Sequence, residues 1–153
     1  MRNLILLVIL SAIFISCSKN EEIFEPDGII FGETYGACVG DCRNLYLLTA
    51  KGIYPDSNSD IVYGDWVNTT FDSQALPISS FELAKSLLTI PNELLEYEGE
   101  IGNQIISDVD FFIHIRINGI SKIWLFDEVK ENMSTEIKQY IEKLTEINDQ
   151  LKN

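Results

Sequence analysis

The chain has 153 residues, 46% of them hydrophobic and 23% charged, which is the size and composition of one globular domain. Eleven Lys and Arg stand against 24 Asp and Glu, a formal net charge of −13. That balance argues against nucleic acid, whose phosphates need a basic footprint, and against a polybasic grip on anionic lipid. The apolar fraction is too high for wholesale disorder.

Met1-Arg2-Asn3 forms a short positive start, and Leu4 to Ile15 is an apolar run. Its length fits the core of a signal peptide and falls short of the ~20 residues that span a membrane. Phe14-Ile15-Ser16-Cys17 follows at once. It resembles a bacterial lipoprotein signal, in which a small residue precedes the Cys that becomes residue one, with Phe14 where such signals usually carry Leu. The resemblance implies that residues 1–16 are removed and that Cys17 is lipidated. The competing reading is an ordinary secretory signal with a chance Cys. Removing 1–16 takes away Arg2 and no acid, so the remainder is more acidic still. Each buried acyl CH₂ contributes about 0.8 kcal/mol, so the several chains of such a Cys, palmitate among them, hold a membrane without electrostatic help.

Ser18-Lys19-Asn20-Glu21-Glu22 is similar to the Lys-plus-two-acids stretch of surface-exported lipoproteins of Bacteroidota. Ser18 is also not the Asp that resembles an inner-membrane retention signal. The likeness implies an outer-membrane, surface-exposed position, with a periplasm-facing one as the alternative. Residues 17–27 are then the Cys that the resemblance implies is lipidated, followed by what composition reads as an acidic, solvated tether.

Residues 28–153 form the globular domain. Ile29 to Tyr35 and Asn44 to Ala50 are β-rich runs, and residues 51–60 are a turn-rich loop. Ile61 to Phe71 is expected to be one strand with a bend at Gly64-Asp65. Ser79-Ser80-Phe81-Glu82 fits a capping box, with Ile78 and Leu83 as its hydrophobic staple. Ala84, Leu87 and Leu88 continue the buried stripe until Pro91 ends the helix near Thr89, and Pro91 to Leu95 starts a further short turn.

Val109 to Asp127 reads as a hairpin on an Asn118-Gly119 type I′ turn. That turn pairs Phe111, Ile113, Ile115 and Ile117 with Phe126, Trp124, Lys122 and Ile120 on a core face. The opposite face, with Asp110, Phe112, His114 and Arg116, is mixed and partly covered. Thr135 to Leu151 is an amphipathic helix capped by Ser134, its stripe being Ile137, Tyr140, Ile141, Leu144, Ile147 and Leu151. The polar face is too acidic for a membrane helix, so the stripe packs on the sheet. This element order implies an α+β domain: an antiparallel sheet with two helices packed on one face.

Once Cys17 is assigned to lipid, Cys38 and Cys42 remain, in an oxidising compartment. Extended, they would stand about 13 Å apart, whereas a disulfide wants about 4.4–6.8 Å. They pair if Val39-Gly40-Asp41 is a tight turn, as in a three-residue hairpin loop with Cys38 opposite Cys42. Closing so short a loop would stabilise by about 2 kcal/mol. A redox pair, a metal site and two free thiols are the alternatives. The spacing is not Cys-x₂-Cys, and zinc would need two more ligands where the chain offers one His.

Phe31 to Cys42, with Gly36-Ala37-Cys38-Val39-Gly40-Asp41-Cys42 at its end and a Tyr46-containing strand after it, is similar to a family of small uncharacterised lipoproteins of Bacteroidota. Ile90-Pro91, Leu94-Leu95, the hydrophobic hairpin and the terminal helix extend the likeness over most of residues 28–150. Such relatives are expected to carry a further Cys pair near residues 102–108. Ile101 to Asp108 has none, which counts against a shared metal site. The resemblance implies no activity.

Asp56, Asn58 and Asp60 stand at the first, third and fifth positions of a calcium loop, but Ile61 and Val67 occupy its Gly and Glu positions, so a solvated turn is expected. Glu93, Glu96, Glu98 and Glu100 around Tyr97 read as a solvated patch, and His114 as a packed or surface histidine. No Gly-x-Ser-x-Gly segment supports a Ser/His/Asp triad. Neither a cofactor nor a metal is expected. Three classes follow: a non-enzymatic, lipid-anchored binding or accessory domain, with a protein partner left open; an acidic immunity or inhibitor lipoprotein facing a basic toxin or enzyme; and an envelope enzyme using Cys38, Cys42 and His114.

Overall fold

The computed structural model describes residues 27–35, 42–57, 69–103 and 109–152. The signal peptide, Cys17, the tether up to residue 26, Cys38 and residues 61–68 of the expected strand lie outside the described residues.

The chain builds β1 (Gly28–Tyr35), β2 (Arg43–Thr49) and β3 (Gly52–Pro55). Next come α1 (Ile78–Ala84), a 3-10 turn (Lys85–Leu88), α2 (Asn92–Glu96) and β4 (Gly102–Asn103). The hairpin β5 (Val109–Ile117) and β6 (Ile120–Phe126), β7 (Glu128–Val129) and α3 (Thr135–Leu151) complete it. The main sheet is antiparallel and five-stranded in the order β3-β2-β1-β5-β6, and β4 pairs with β7 in a separate small ladder. It is an α+β domain.

Three cross-strand rows on one face of the sheet organise the core. Leu48, Ile29, Ile115 and Lys122 form the first, and Tyr46, Phe31, Ile113 and Trp124 the second. Asn44, Glu33, Phe111 and Phe126 form the third. Onto this face pack Ala84, Leu87, Leu94 and the buried stripe of α3. Each such aliphatic or aromatic side chain withdrawn from water contributes about 1.5–3 kcal/mol. Ser134 caps α3, its hydroxyl accepting from the Ile137 amide at 3.3 Å. The other face carries a smaller cluster of Ile30, Leu45, Leu47 and Phe112, against which Tyr54, Phe71 and Leu125 pack. Gly32 sits on that second face with φ +147°, where a Cβ would fall 2.0 Å from the Asn44 carbonyl oxygen. Only glycine fits there.

The Asn118-Gly119 turn has φ 50° and 80°, and the hairpin register is the expected one throughout. Its last pair departs from the core, because Ile120 beside the turn is exposed. Three local expectations are corrected. Residues 51–60 are not wholly loop: Ala50-Lys51 is a turn, and Gly52 to Pro55 pair with β2 as an edge strand, where Pro55 is tolerated because no amide is needed. Ser79 does not cap α1. The helix begins two residues earlier, at Ile78 behind Pro77, whose fixed φ sets its entry, and no side chain caps it. Ile78 is 73% exposed, so no staple forms. The Tyr35 amide donates to the Cys42 carbonyl at 2.8 Å, which extends the β1–β2 pairing by one position, and the expected tight turn at Val39-Gly40-Asp41 lies outside the described residues.

Candidate functional site

The third row is where the core face turns polar. Glu33 stands in register with Phe111, and its carboxylate is held from three sides. The Tyr35 hydroxyl donates to Oε2 at 3.0 Å, Asn148 Nδ2 donates to Oε1 at 3.3 Å, and Lys152 Nζ donates to the same oxygen at 2.6 Å. Lys152 also meets Asp149 at 3.0 Å. Burial pushes the Tyr35 hydroxyl pKa up, and the hydrogen bond to Glu33 adds to it. Burial works against the charge on Lys152, but the hydrogen bonds to Glu33 and Asp149 outweigh it and the ammonium pKa is raised. Its place just past α3 also suits the negative end of the helix dipole.

Beside Glu33 the sheet and α3 diverge, leaving an open cavity of about 490 Å³. Val109, Phe111, Phe126, Val129 and Ile141 form its apolar floor. Glu33, Asp127, Glu142, Glu146 and Asp149 put five carboxylates around it. The floor follows from period-two alternation in β5 and β6, and the rim from helical spacing in α3, where Glu142, Glu146 and Asp149 flank the buried Ile141 stripe. The arrangement suits a ligand that is apolar in one part and cationic in another. Charge of that kind also steers a cationic partner toward the groove.

The other sequence candidates lie elsewhere. His114 Nε2 and Ser121 Oγ are 2.9 Å apart on the second face. Burial lowers the His114 pKa, and among the described residues no carboxylate raises it as the acid of a triad would. Cys42 is buried and disulfide-bonded. Its partner is not among the described residues, so its pairing with Cys38 lies outside them. Asp56, the first position of the calcium-like run, is engaged by Arg43 Nε at 2.5 Å in a pair whose side chains are 1% and 3% exposed, while residues 58–60 are not described. Glu93 and Glu96 are solvated, whereas Glu98 and Glu100 meet Lys122 and Lys130 at 2.9 and 3.1 Å on the surface. Among the described residues no cluster of three or more His, Cys, Asp or Glu could hold a metal ion. Among them, too, no helix is long and apolar enough to cross a membrane.

Sequence reasoning missed the groove. Its residues come from β1, β5, the β6–β7 junction and α3, and no short segment carries a motif for it. The one available signal was the acidic bias of α3 beside its apolar stripe. No protein-family model matches the chain, and no curated protein or solved structure matches it either.

Proposed function

We propose that the protein is a lipid-anchored, non-enzymatic binding domain of the bacterial outer membrane, displayed at the cell surface. The observation that carries the binding role is the groove between β5 and α3, with an apolar floor and a carboxylate rim. The anchor rests on Ser16-Cys17 after the apolar run, and surface display on Lys19 with Glu21 and Glu22. The acidic rim favours one second reading, an immunity or inhibitor lipoprotein that masks a basic toxin or enzyme.

Fractionation tests the anchor. Labelled palmitate should enter the wild type, and Cys17→Ser should move the protein from the membrane to the soluble fraction. A variant that still sediments, with no label in the wild type, removes the lipoprotein reading. Protease added to intact cells should remove the domain; full resistance until lysis places it facing the periplasm. The binding role is tested by cross-linking in intact envelopes, where one stoichiometric partner is expected. A thiol-dependent or hydrolytic turnover abolished by replacing Cys42 or His114 would favour an enzyme instead.

A further inference from the structure

Deepening that binding reading, and resting on it, we infer that the groove beside Glu33 takes a basic amphipathic peptide segment of a partner protein. Apolar side chains of the segment seat on Val109 and Val129, and its Lys or Arg side chains meet Glu142 and Glu146. Three observations select this occupant. Val109 is 42% exposed although it lies beside the buried Phe111, so an apolar surface at the sheet end is open to solvent. Acids on two separate elements, α3 and the β6–β7 junction, flank that surface. Lys152 is already held by Glu33 and Asp149, and so balances the inner wall rather than Glu142 and Glu146, which are exposed on the outer one.

Charge excludes the nearer alternatives. A second copy of a chain with net charge −13 would bring acid against acid. The chain's own segment 18–26 has Lys19 against Glu21, Glu22 and Glu25, and is no better matched. A purely cationic ligand leaves the apolar floor wet, and a purely apolar one brings no cation to the exposed Glu142 and Glu146 beside it. An amphipathic basic segment satisfies both, laying its apolar stripe into the groove.

The test titrates the full chain with a fluorescent model peptide of leucine and lysine in amphipathic order, and with a lysine–alanine peptide of equal charge. The leucine peptide should bind at least tenfold more tightly than its alanine counterpart. The double variant Glu142→Lys/Glu146→Lys, on the solvent side of α3, should weaken it by about another tenfold, since each exposed charge contact contributes modestly. Val109→Ser should weaken the leucine peptide and leave the alanine one unchanged. Glu93→Lys/Glu96→Lys makes the same charge change on α2, away from the groove, and should bind like the wild type. Equal affinity for the two peptides, equal loss in the α2 control, or no binding would each overturn the inference. Such a failure with Cys17-dependent anchoring and a cross-linked partner intact would remove the groove assignment and leave the binding domain standing.

Discussion

The Tyr140 hydroxyl donates to the Leu87 carbonyl at 2.8 Å, joining the middle of α3 to the last turn before Thr89. Both residues are buried, and burial raises the phenol pKa well above its ordinary value. The bond lets a tyrosine occupy a core position in α3 without stranding its polar tip. Tyr140→Phe keeps the ring and removes the donor, leaving the carbonyl without it. We expect a loss of about 1–2 kcal/mol in denaturant unfolding, with the slope unchanged. A neutral result would mean that water replaces the hydroxyl.

Arg43 and Asp56 fasten the start of β2 to the end of β3. Asp56 bonds Arg43 through Oδ2 at 2.5 Å and Oδ1 at 3.4 Å, and its amide donates to the Leu45 carbonyl at 2.8 Å. Asp56→Ala leaves a guanidinium buried without this partner and should cost about 3–5 kcal/mol. Arg43→Met/Asp56→Leu together should recover most of that loss, because removing both charges also removes their desolvation cost. A double variant no more stable than Asp56→Ala would show that the pair is worth more than its burial penalty.

How far these features were legible depends on how local their causes are. The hairpin register follows from two residues, Asn118 and Gly119, whose positive φ pins every pair behind them. The α3 boundaries follow from Ser134 and a regular stripe. β3 was hidden because it has only four residues, and Pro55 reads as loop. The capping box failed because Pro77, just upstream, sets the helix start by backbone geometry alone. The Glu33 row was invisible for a different reason. It becomes a wall of the groove only when β1, β5 and α3 meet, and no spacing along the chain encodes that meeting.

Stability should depend on pH at both ends. His114 has its pKa lowered by burial from an ordinary value of 6.5, so the fold favours its neutral form. Its contribution is fully present above 6.5 and is lost as pH falls through the lower folded value. Tyr35 has the opposite sense: its pKa is raised above 10.0, so its contribution is present below 10.0 and lost as pH rises through the folded value. Denaturation midpoints followed from about pH 7 down to 5 should fall less steeply in His114→Gln than in the wild type. Tyr35→Phe should flatten the alkaline limb only. Parallel acid limbs in wild type and His114→Gln would assign that limb to the carboxylates.

Cys42 is disulfide-bonded, and Cys38 is the nearer of its two possible partners in sequence. A 38–42 bridge predicts no free thiol in the purified protein until reductant is added. Cys38→Ala/Cys42→Ala should fold with a loss of about 2 kcal/mol, since the closed loop is short. Rapid alkylation of two thiols without reductant would break the assignment, and a stoichiometric metal lost in the double variant would replace it.

β1 leads the domain in sequence yet lies at the centre of the sheet, with β2 on one side and β5 on the other. Ile29 therefore has Leu48 as an early partner and Ile115 as a late one. A nascent chain can close the β1–β2–β3 meander soon after those strands emerge, but the sheet stays open until the β5–β6 hairpin is made. Pairing across so long an intervening segment is entropically costly and places folding toward the slow, non-local end of the two-state range. Until β5 docks, the β1 edge that carries Ile29 and Phe31 has no strand on that side, so slow closure lengthens the time for which an unpaired edge can meet another chain.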